Sequence, residues 1–212
     1  MRETASAAAK PYHHGDLSRA LVQAARRILE NEGPAALSLR AVAREAGVSP
    51  AAPYHHFKDK NELLEAVAEE GWEQLGAEVA KARESAPNQR SALSSIGVAY
   101  VTFARQNPAL YRVMYDGMRD RTAFPEHAKD ASSGWNQVEC AIVAAGGDPD
   151  PAELQLATIA AWCAAHGLAE MASFREFDAL KESLGGEEGF IRAILDHLGV
   201  FVRPGRDKPP AA

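Results

Sequence analysis

The chain of 212 residues lacks the features of several common functional classes. No run of about 18 apolar residues is present, so no transmembrane helix is predicted. Residues 1–14 have no apolar stretch long enough for a signal peptide. Neither a phosphate-binding P-loop nor a G-x-G-x-x-G segment occurs. We therefore expect no membrane partner and no cofactor, and we expect the protein to act in the cytoplasm.

Cysteine is scarce as well. The two cysteines, Cys140 and Cys163, each fall inside a helical pattern and do not form a paired C-x-x-C motif. Isolated thiols of this kind are typical of buried side chains in a reducing compartment, so we predict that both are buried. A redox-sensing pair is an alternative only if the fold brings the two residues together.

Motifs for metal binding and catalysis are also missing. The pairs His13-His14 and His55-His56 have no Cys, Asp or Glu at ligand spacing, and adjacent histidines point to different faces of a helix. Cys163, His166 and Asp196 could form a nucleophilic triad on paper, but no nucleophile elbow or glycine-rich oxyanion loop accompanies them. We predict no metal site and no enzymatic activity.

The charges are distributed unevenly along the chain. Residues 1–60 carry nine Lys/Arg and six Asp/Glu, a net charge of +3, whereas residues 61–212 carry fourteen and twenty-three, a net charge of −9. A basic segment can contact phosphates, while an acidic one is repelled from them. The asymmetry therefore predicts two regions with different partners.

Helical periodicity is present along nearly the whole chain. Alanine is abundant, alternating strand patterns are absent, and glycines and prolines separate the periodic segments. We predict an all-α protein with a disordered arm (1–14), a three-helix helix-turn-helix domain (15–61), a helical body (62–202) and a disordered tail (203–212). The helices predicted in the body beyond residue 87 lie near 88–106, 108–116, 124–145, 151–173 and 187–202.

The most informative segment, residues 37–64, reads LSLRAVAREAGVSPAAPYHHFKDKNELL. It has the pattern of a helix, a short turn and a second helix. Ala43 is small enough for two helices to cross at it, and Gly47 can adopt the positive φ that the turn requires. Ser49, with Pro50 in the first turn, is predicted to cap the second helix. The segment thus predicts a helix-turn-helix.

Residues 54–64 add a more specific pattern, Y-x-H-F-K-x-K-x-x-L-L. With the preceding segment it resembles the DNA-binding domain of TetR/AcrR regulators, and the resemblance extends over residues 15–66. It implies a homodimer that binds a palindromic operator in double-stranded DNA, and a C-terminal domain that binds a small-molecule effector, whose identity stays unknown. The usual arrangement in that family is a repressor that its effector releases from DNA.

The resemblance also implies which residues contact DNA, and that Phe57 is a core residue. The predicted contacts are Arg40, Arg44, Ser49, Pro50, Ala51, Ala52, Tyr54, His55, His56, Lys58 and Lys60. The base-facing positions, residues 50–53, are unusual because their side chains form no hydrogen bonds. Base readout must then depend on Arg40, Arg44, Ser49 or His55, on methyl contacts to thymine, or on DNA shape.

The body is rich in aromatic and methionine side chains, which are suited to lining an apolar pocket with a few polar groups. The predicted pocket residues are Trp72, Tyr100, Phe103, Tyr111, Met114, Tyr115, Met118, Trp135, Trp162 and His166. From residue 88 onward the chain resembles the WHG subgroup of these regulators, with Trp162, His166 and Gly167 as the residues behind the name. Gly167 is predicted to permit close helix approach.

The last two long helices are apolar enough to form a four-helix dimer interface. Its predicted residues are Ile159, Leu168, Phe190, Ile194, Leu198 and Phe201. The leading interpretation is a ligand-responsive homodimeric repressor. Two alternatives stay open: a transcriptional activator or dual regulator, and a helical small-molecule binding protein whose DNA-binding domain is non-functional.

Overall fold

The computed structural model describes residues 14–116 and 133–198, and these ranges contain helices and no strand, so the all-α prediction is confirmed. The α-helices are α1 (His14–Asn31), α2 (Leu39–Glu45), α3 (Lys60–Glu84), α4 (Gln89–Gln106), α5 (Pro108–Asp116), α6 (Gly134–Ala144), α7 (Pro151–Met171), α8 (Asp178–Ser183) and α9 (Glu187–Leu198). Two short 3-10 helices, Ala52–His55 and Arg175–Phe177, complete the secondary structure.

The chain divides into two compact units, Met1–Ala68 and Glu69–Ala212, which we call the head and the body. The division falls inside α3, and the predicted boundary after residue 61 falls inside the same helix. One continuous helix therefore belongs to both units.

Packing of α1 on α2 forms the core of the head. The Ser38 side chain caps α2 by accepting a hydrogen bond from the Ala41 amide at 3.1 Å. The helix ends at Glu45, Gly47 after it has a φ of +70°, and the Val48 amide donates back to the Ala43 carbonyl at 2.9 Å. This closing pattern requires a left-handed residue, so the prediction for Gly47 is confirmed.

The segment after this turn differs from its prediction. We expected an α-helix capped by Ser49, but the chain forms a turn at residues 50–51 and then the 3-10 helix Ala52–His55, whose N-cap residue, Ala51, has no capping side chain. The reason is Pro53, which lacks an amide hydrogen and disfavours helical backbone at the residue before it. The result is a short segment that exposes Pro50 and Ala51 but buries Pro53, so the prediction that Pro53 faces the bases is wrong.

Asp59 fixes the beginning of α3. Its side chain accepts hydrogen bonds from the amides of Asn61 and Glu62, both at 2.9 Å, and the Glu62 carboxylate accepts one from the Lys58 amide at 2.6 Å. This cap was not predicted, although an Asp followed three residues later by a Glu is a known helix-start pattern. Leu63 and Val67 are fully buried below it.

In the body, α4 is the central helix and contacts α5, α6, α7 and α9. The predicted helix 124–145 is not continuous, because Ser133 is extended and its side chain caps α6, which begins at Gly134. Residues 117–132 lie outside the described part of the chain. The short helix α8 was not predicted; it ends at Ser183, and Gly185 and Gly186, both with positive φ, follow it.

The prediction of buried cysteines is wrong. Cys140 and Cys163 are both exposed free thiols. Cys163 lies on the face of α7 opposite its buried residues Thr158 and Ala165, so the helical period places it outside the core. Of the described helices, none combines the length and hydrophobicity that a membrane crossing needs.

Candidate functional site

None of the residues predicted to contact DNA is buried in the head. Arg40, Arg44, Ser49, Pro50, Ala51, Tyr54, His55 and Lys58 are exposed, and Ala52, His56 and Lys60 are half-buried. Tyr54 is 54% exposed although it is a large aromatic residue. Phe57 is buried, which confirms it as a core residue that anchors the segment from below.

Lys60 has a structural contact that the sequence did not indicate. Its Nζ donates a hydrogen bond to the Pro34 carbonyl oxygen at 2.9 Å and so ties the start of α3 to the turn after α1. A second tie is the ion pair between Arg27 and Glu45 at 2.7 Å, which joins α1 to α2. These contacts join the helices on either side of the recognition segment, which we define as residues 49–56, to α1 and to the turn after it.

Aromatic side chains from five helices form a cluster in the body. Trp72 of α3, Tyr100 of α4, Tyr115 of α5 and Trp162 of α7 have ring centroids 5.4–5.9 Å apart in successive contacts. Tyr111, Trp135 and His166 join the same cluster through further ring contacts. Seven of the ten predicted pocket residues therefore come together, although they are spread over almost a hundred positions.

The polar atoms of this cluster form a hydrogen-bonded chain. The Trp162 indole donates to the Tyr115 hydroxyl at 2.7 Å, Tyr115 bonds to Tyr100, and the hydroxyls of Tyr100 and Tyr111 are 2.9 Å apart. The chain ends where the Tyr111 hydroxyl meets His166 Nδ1. Five side chains thus satisfy one another within a largely buried region.

The donors and acceptors give this chain a direction. An indole N–H can only donate, and each phenol has one hydrogen to give. If His166 Nδ1 accepts, the three hydroxyl hydrogens serve the three remaining bonds, running from Tyr115 through Tyr100 and Tyr111 to His166. If Nδ1 donated, the Tyr115 hydrogen would lose its acceptor in the chain, at a cost of about 1–3 kcal/mol. The arrangement therefore favours a bond in which the Tyr111 hydroxyl donates to His166 Nδ1.

Burial affects the titration of these phenols. Desolvation raises the pKa of Tyr100, Tyr111 and Tyr115 above the ordinary value, and the neighbouring phenols contribute to the rise for Tyr100 and Tyr115. All three hydroxyls therefore stay neutral at physiological pH, and the chain remains available as a set of donors and acceptors.

A cleft of about 540 Å³ lies against one side of the cluster. Tyr111, Tyr115 and His166 line it together with Arg112 and Glu170. It therefore combines ring surfaces with charges of both signs, which suits a ligand that has an aromatic or apolar body and polar groups. Arg112 and Glu170 were not predicted, because helix periodicity alone does not show which charged residues border a cleft.

The other predicted pocket residues have different environments. Phe103 is buried and lines a separate groove of about 570 Å³ with residues of α3, α4 and α9. Met114 is fully buried against Gly71, at a position where a Cβ would lie 2.7 Å from its sulfur. Met118 lies outside the described residues. Met114 is therefore part of the core and does not line the cleft.

The exposed face of α7 carries several large apolar side chains, which we call the apolar stripe, although Glu170 is exposed on this helix as well. Leu156 is 62%, Ile159 39% and Met171 46% exposed, and the positions between them on this face include Cys163 and Gly167. A Cβ placed on Gly167 would meet nothing within 4 Å. No helix of the described chain approaches Gly167, so the predicted close approach is not found within one chain.

The predicted dimer residues separate into two groups. Ile159 lies on the exposed stripe of α7, whereas Leu168 and Phe190 are only 5% and 2% exposed and belong to the chain's own core. Ile194 is half-buried. Leu198 ends α9, and its side chain, like Phe201, lies outside the described part. Leu168 and Phe190 are therefore unavailable to a partner chain.

Comparison with known families agrees with this arrangement. Residues 21–67 match the model of bacterial regulatory proteins of the tetR family. Residues 93–198 match a tetracyclin repressor-like C-terminal domain. The two matches cover the helix-turn-helix and most of the body. The finer assignment to the WHG subgroup stays a prediction.

Solved structures give the same result over nearly the full length. A protein with unknown function from Rhodococcus sp. RHA1 is 32% identical with a TM-score of 0.72, over 89% of this chain and 96% of that one. A tetR-family regulatory protein from Rhodococcus RHA1 is 21% identical with a TM-score of 0.63, over 89% and 97%. The regulator PfmR from Thermus thermophilus is 19% identical with a TM-score of 0.56, over 89% and 99%, and shares the fold. The chain described here belongs to the tetR family of bacterial regulatory proteins and is a DNA-binding transcription regulator, not an enzyme.

Proposed function

We propose that the protein is a homodimeric repressor that acts in the cytoplasm, binds a palindromic operator and is released from it by a small molecule. The observation that carries this proposal is the apolar stripe on α7. Leu156 and Ile159, one turn apart, and Met171 at the end of α7 expose large apolar side chains, and exposed apolar surface of this kind on a helical domain indicates an interface. A second copy would cover it by twofold symmetry.

Dimerisation gives the head its specificity. One recognition segment contacts few base pairs, and a twofold dimer doubles the contact and matches a palindrome. In our proposal Tyr54, His56, Lys58 and Lys60 contact phosphates, and Arg40, Arg44, Ser49 and His55 contact base edges or nearby phosphates. The exposure of most of these side chains supports this assignment.

The effector is proposed to bind in the cleft beside the aromatic cluster. The cleft volume of about 540 Å³ is in the range of small-molecule sites. Trp72 of the cluster belongs to α3, the helix whose first residues lie beside the recognition segment. A ligand that favours one arrangement of the cluster would change the preferred position of α3. Operator affinity would change by the same coupling free energy.

Selection of genomic DNA fragments by the purified protein tests the DNA-binding part. The matched control is a double variant, Tyr54→Phe with Lys58→Gln, which removes one hydroxyl and one charge from exposed positions. We expect the wild-type protein to enrich a short palindrome, and the variant to bind it more weakly with a shallower salt dependence. Equal enrichment by both proteins would contradict the proposed contacts.

Screening of small molecules against the protein bound to that palindrome tests the sensing part. We expect a ligand that quenches the fluorescence of the cluster tryptophans to weaken DNA binding, and His166→Ala to lose both responses. A ligand that binds the cluster without changing operator affinity would contradict release by effector. Loss of transcription of the neighbouring gene on deletion of the regulator would indicate an activator.

A further inference from the structure

We infer that the recognition segment reads thymine through its C5-methyl group, with Pro50 and Ala51 as the contacting surface. The inference rests on the proposed placement of this segment in the major groove. It adds which chemical feature of the groove is recognised there.

The side chains at the tip support methyl contact. Pro50 and Ala51 are exposed, and Ala52 beside them is half-buried. These three side chains consist only of carbon and hydrogen. None of them can form a hydrogen bond with a base edge. The tip of the segment is therefore an apolar surface between polar neighbours, with Ser49 before it and His55 after it.

The backbone of the tip also offers few donors. Pro50 and Pro53 have no amide hydrogen. The Ala52 amide already donates to the Ser49 carbonyl at 3.0 Å. The Tyr54 amide likewise donates to the Ala51 carbonyl at 3.2 Å. From Pro50 to Pro53, the Ala51 amide is the single donor without a partner in the described chain. The tip cannot form the two-donor contact that recognises guanine.

The major groove presents one apolar group to such a surface. Thymine carries a C5-methyl group, whereas guanine and adenine present hydrogen-bonding atoms and cytosine presents an amino donor beside a C5–H that lacks the methyl group. Contact of the tip with those atoms would remove their water without replacing its hydrogen bonds, which is unfavourable. Contact with a thymine methyl removes apolar surface from water, which is favourable. The tip thus selects thymine and disfavours the other bases.

Uracil substitution in the selected operator tests the inference. Uracil differs from thymine only by the absent methyl group, so a scan with the full-length protein isolates that contact. We expect one symmetric pair of thymines to be sensitive, with a loss of affinity of about fourfold for each methyl removed. 5-Methylcytosine at the same positions should bind more tightly than cytosine, because it restores the methyl group.

A protein variant links the effect to the tip. Ala51→Gly removes the opposing methyl group and should reduce the difference between thymine and uracil at the sensitive positions. The matched control is Ala35→Gly, an exposed alanine in the turn after α1, which should leave the difference unchanged. Coupling measured in this way does not depend on the overall affinity of the variant.

The outcomes separate this inference from the proposed function. Specific operator binding in which every uracil substitution is neutral would overturn methyl recognition and leave the regulator proposal intact. A thymine preference that survives Ala51→Gly unchanged would overturn the role of Ala51. Failure of the proposed function would appear earlier, as the absence of any enriched palindrome in the genomic selection.

Discussion

The head and the body differ in how their functional residues are distributed along the chain. All the predicted DNA contacts fall within residues 40–60, between α2 and the first residue of α3. The aromatic cluster of the body takes side chains from α3, α4, α5, α6 and α7, between Trp72 and His166. The head can therefore be interpreted from a contiguous motif, whereas the body requires the fold.

The two regions also use polar groups differently. In the head most of the predicted DNA contacts are exposed, although Lys60 donates a hydrogen bond to the Pro34 carbonyl. In the body, Tyr100 is nearly fully buried and bonds to two other phenols. A buried network is costly when one member is lost, whereas an exposed group is not. We therefore expect head variants to change DNA binding, and cluster variants to change stability and effector response.

The largest expected effect comes from breaking the stripe on α7. Leu156→Glu with Ile159→Glu places two charges where a partner chain would pack, and we expect monomers by analytical ultracentrifugation. Loss of the linked second head should weaken operator binding on the order of 100-fold. Val143→Glu, an exposed apolar position on α6, is the control and should leave the dimer intact. A fully dimeric double variant would contradict the proposed interface.

Arg40→Ala should give the next largest effect and tests the independence of the head. Loss of a base contact would weaken operator binding by about 1–3 kcal/mol, measured by titration of labelled DNA. The thermal midpoint should change little, since the side chain is exposed. Lys81→Ala, an exposed position of α3 in the body, should bind as tightly as the wild type. Unchanged affinity for Arg40→Ala would remove Arg40 from the readout.

Tyr100→Phe should lower stability and leave operator binding unchanged, which is the reverse of the result expected for Arg40→Ala. It removes the central hydroxyl of the chain, so Tyr115 loses an acceptor and Tyr111 loses a donor. We expect the free energy of unfolding to fall by about 1–3 kcal/mol in chemical denaturation, with unchanged operator affinity in the absence of ligand. Tyr54→Phe is the matched control, because its hydroxyl is exposed and should not affect stability. Equal stability of both variants would contradict a cooperative network.

The smallest expected effect is a pH dependence confined to the body. Burial raises the pKa of Tyr100 above its value in the unfolded chain, so its contribution to stability is complete below about pH 10 and is lost as the pH rises further. At about pH 10.5 the Tyr100 phenol stays protonated in the folded chain but ionises in the unfolded chain. This difference should lower the free energy of unfolding by about 0.8 kcal/mol. Chemical denaturation at about pH 8 and 10.5 measures the effect. The free energy of unfolding should fall more between these pH values in the wild type than in Tyr100→Phe. An identical pH dependence in both would argue against it.

The sequence alone determined the all-α class, the turn at Gly47, the buried position of Phe57 and the regulator family. These depend on local rules: helical period, positive φ at one glycine, and a motif contained within a few helical turns. The capping residue Asp59 could also have been found in this way. The 3-10 form of residues 52–55 is local too, because Pro53 causes it.

Only the tertiary structure decided which apolar side chains are buried in the chain's own core and which stay exposed. Leu156 and Leu168 are both leucines on α7, yet one is exposed and the other buried. The helical period gives their separation around the axis, but it does not say which face the other helices cover. The same holds for Phe103 and Tyr111, of which only Tyr111 borders the cleft beside the cluster. Side chains far apart in sequence meet only through packing of whole helices, and no local rule fixes that packing.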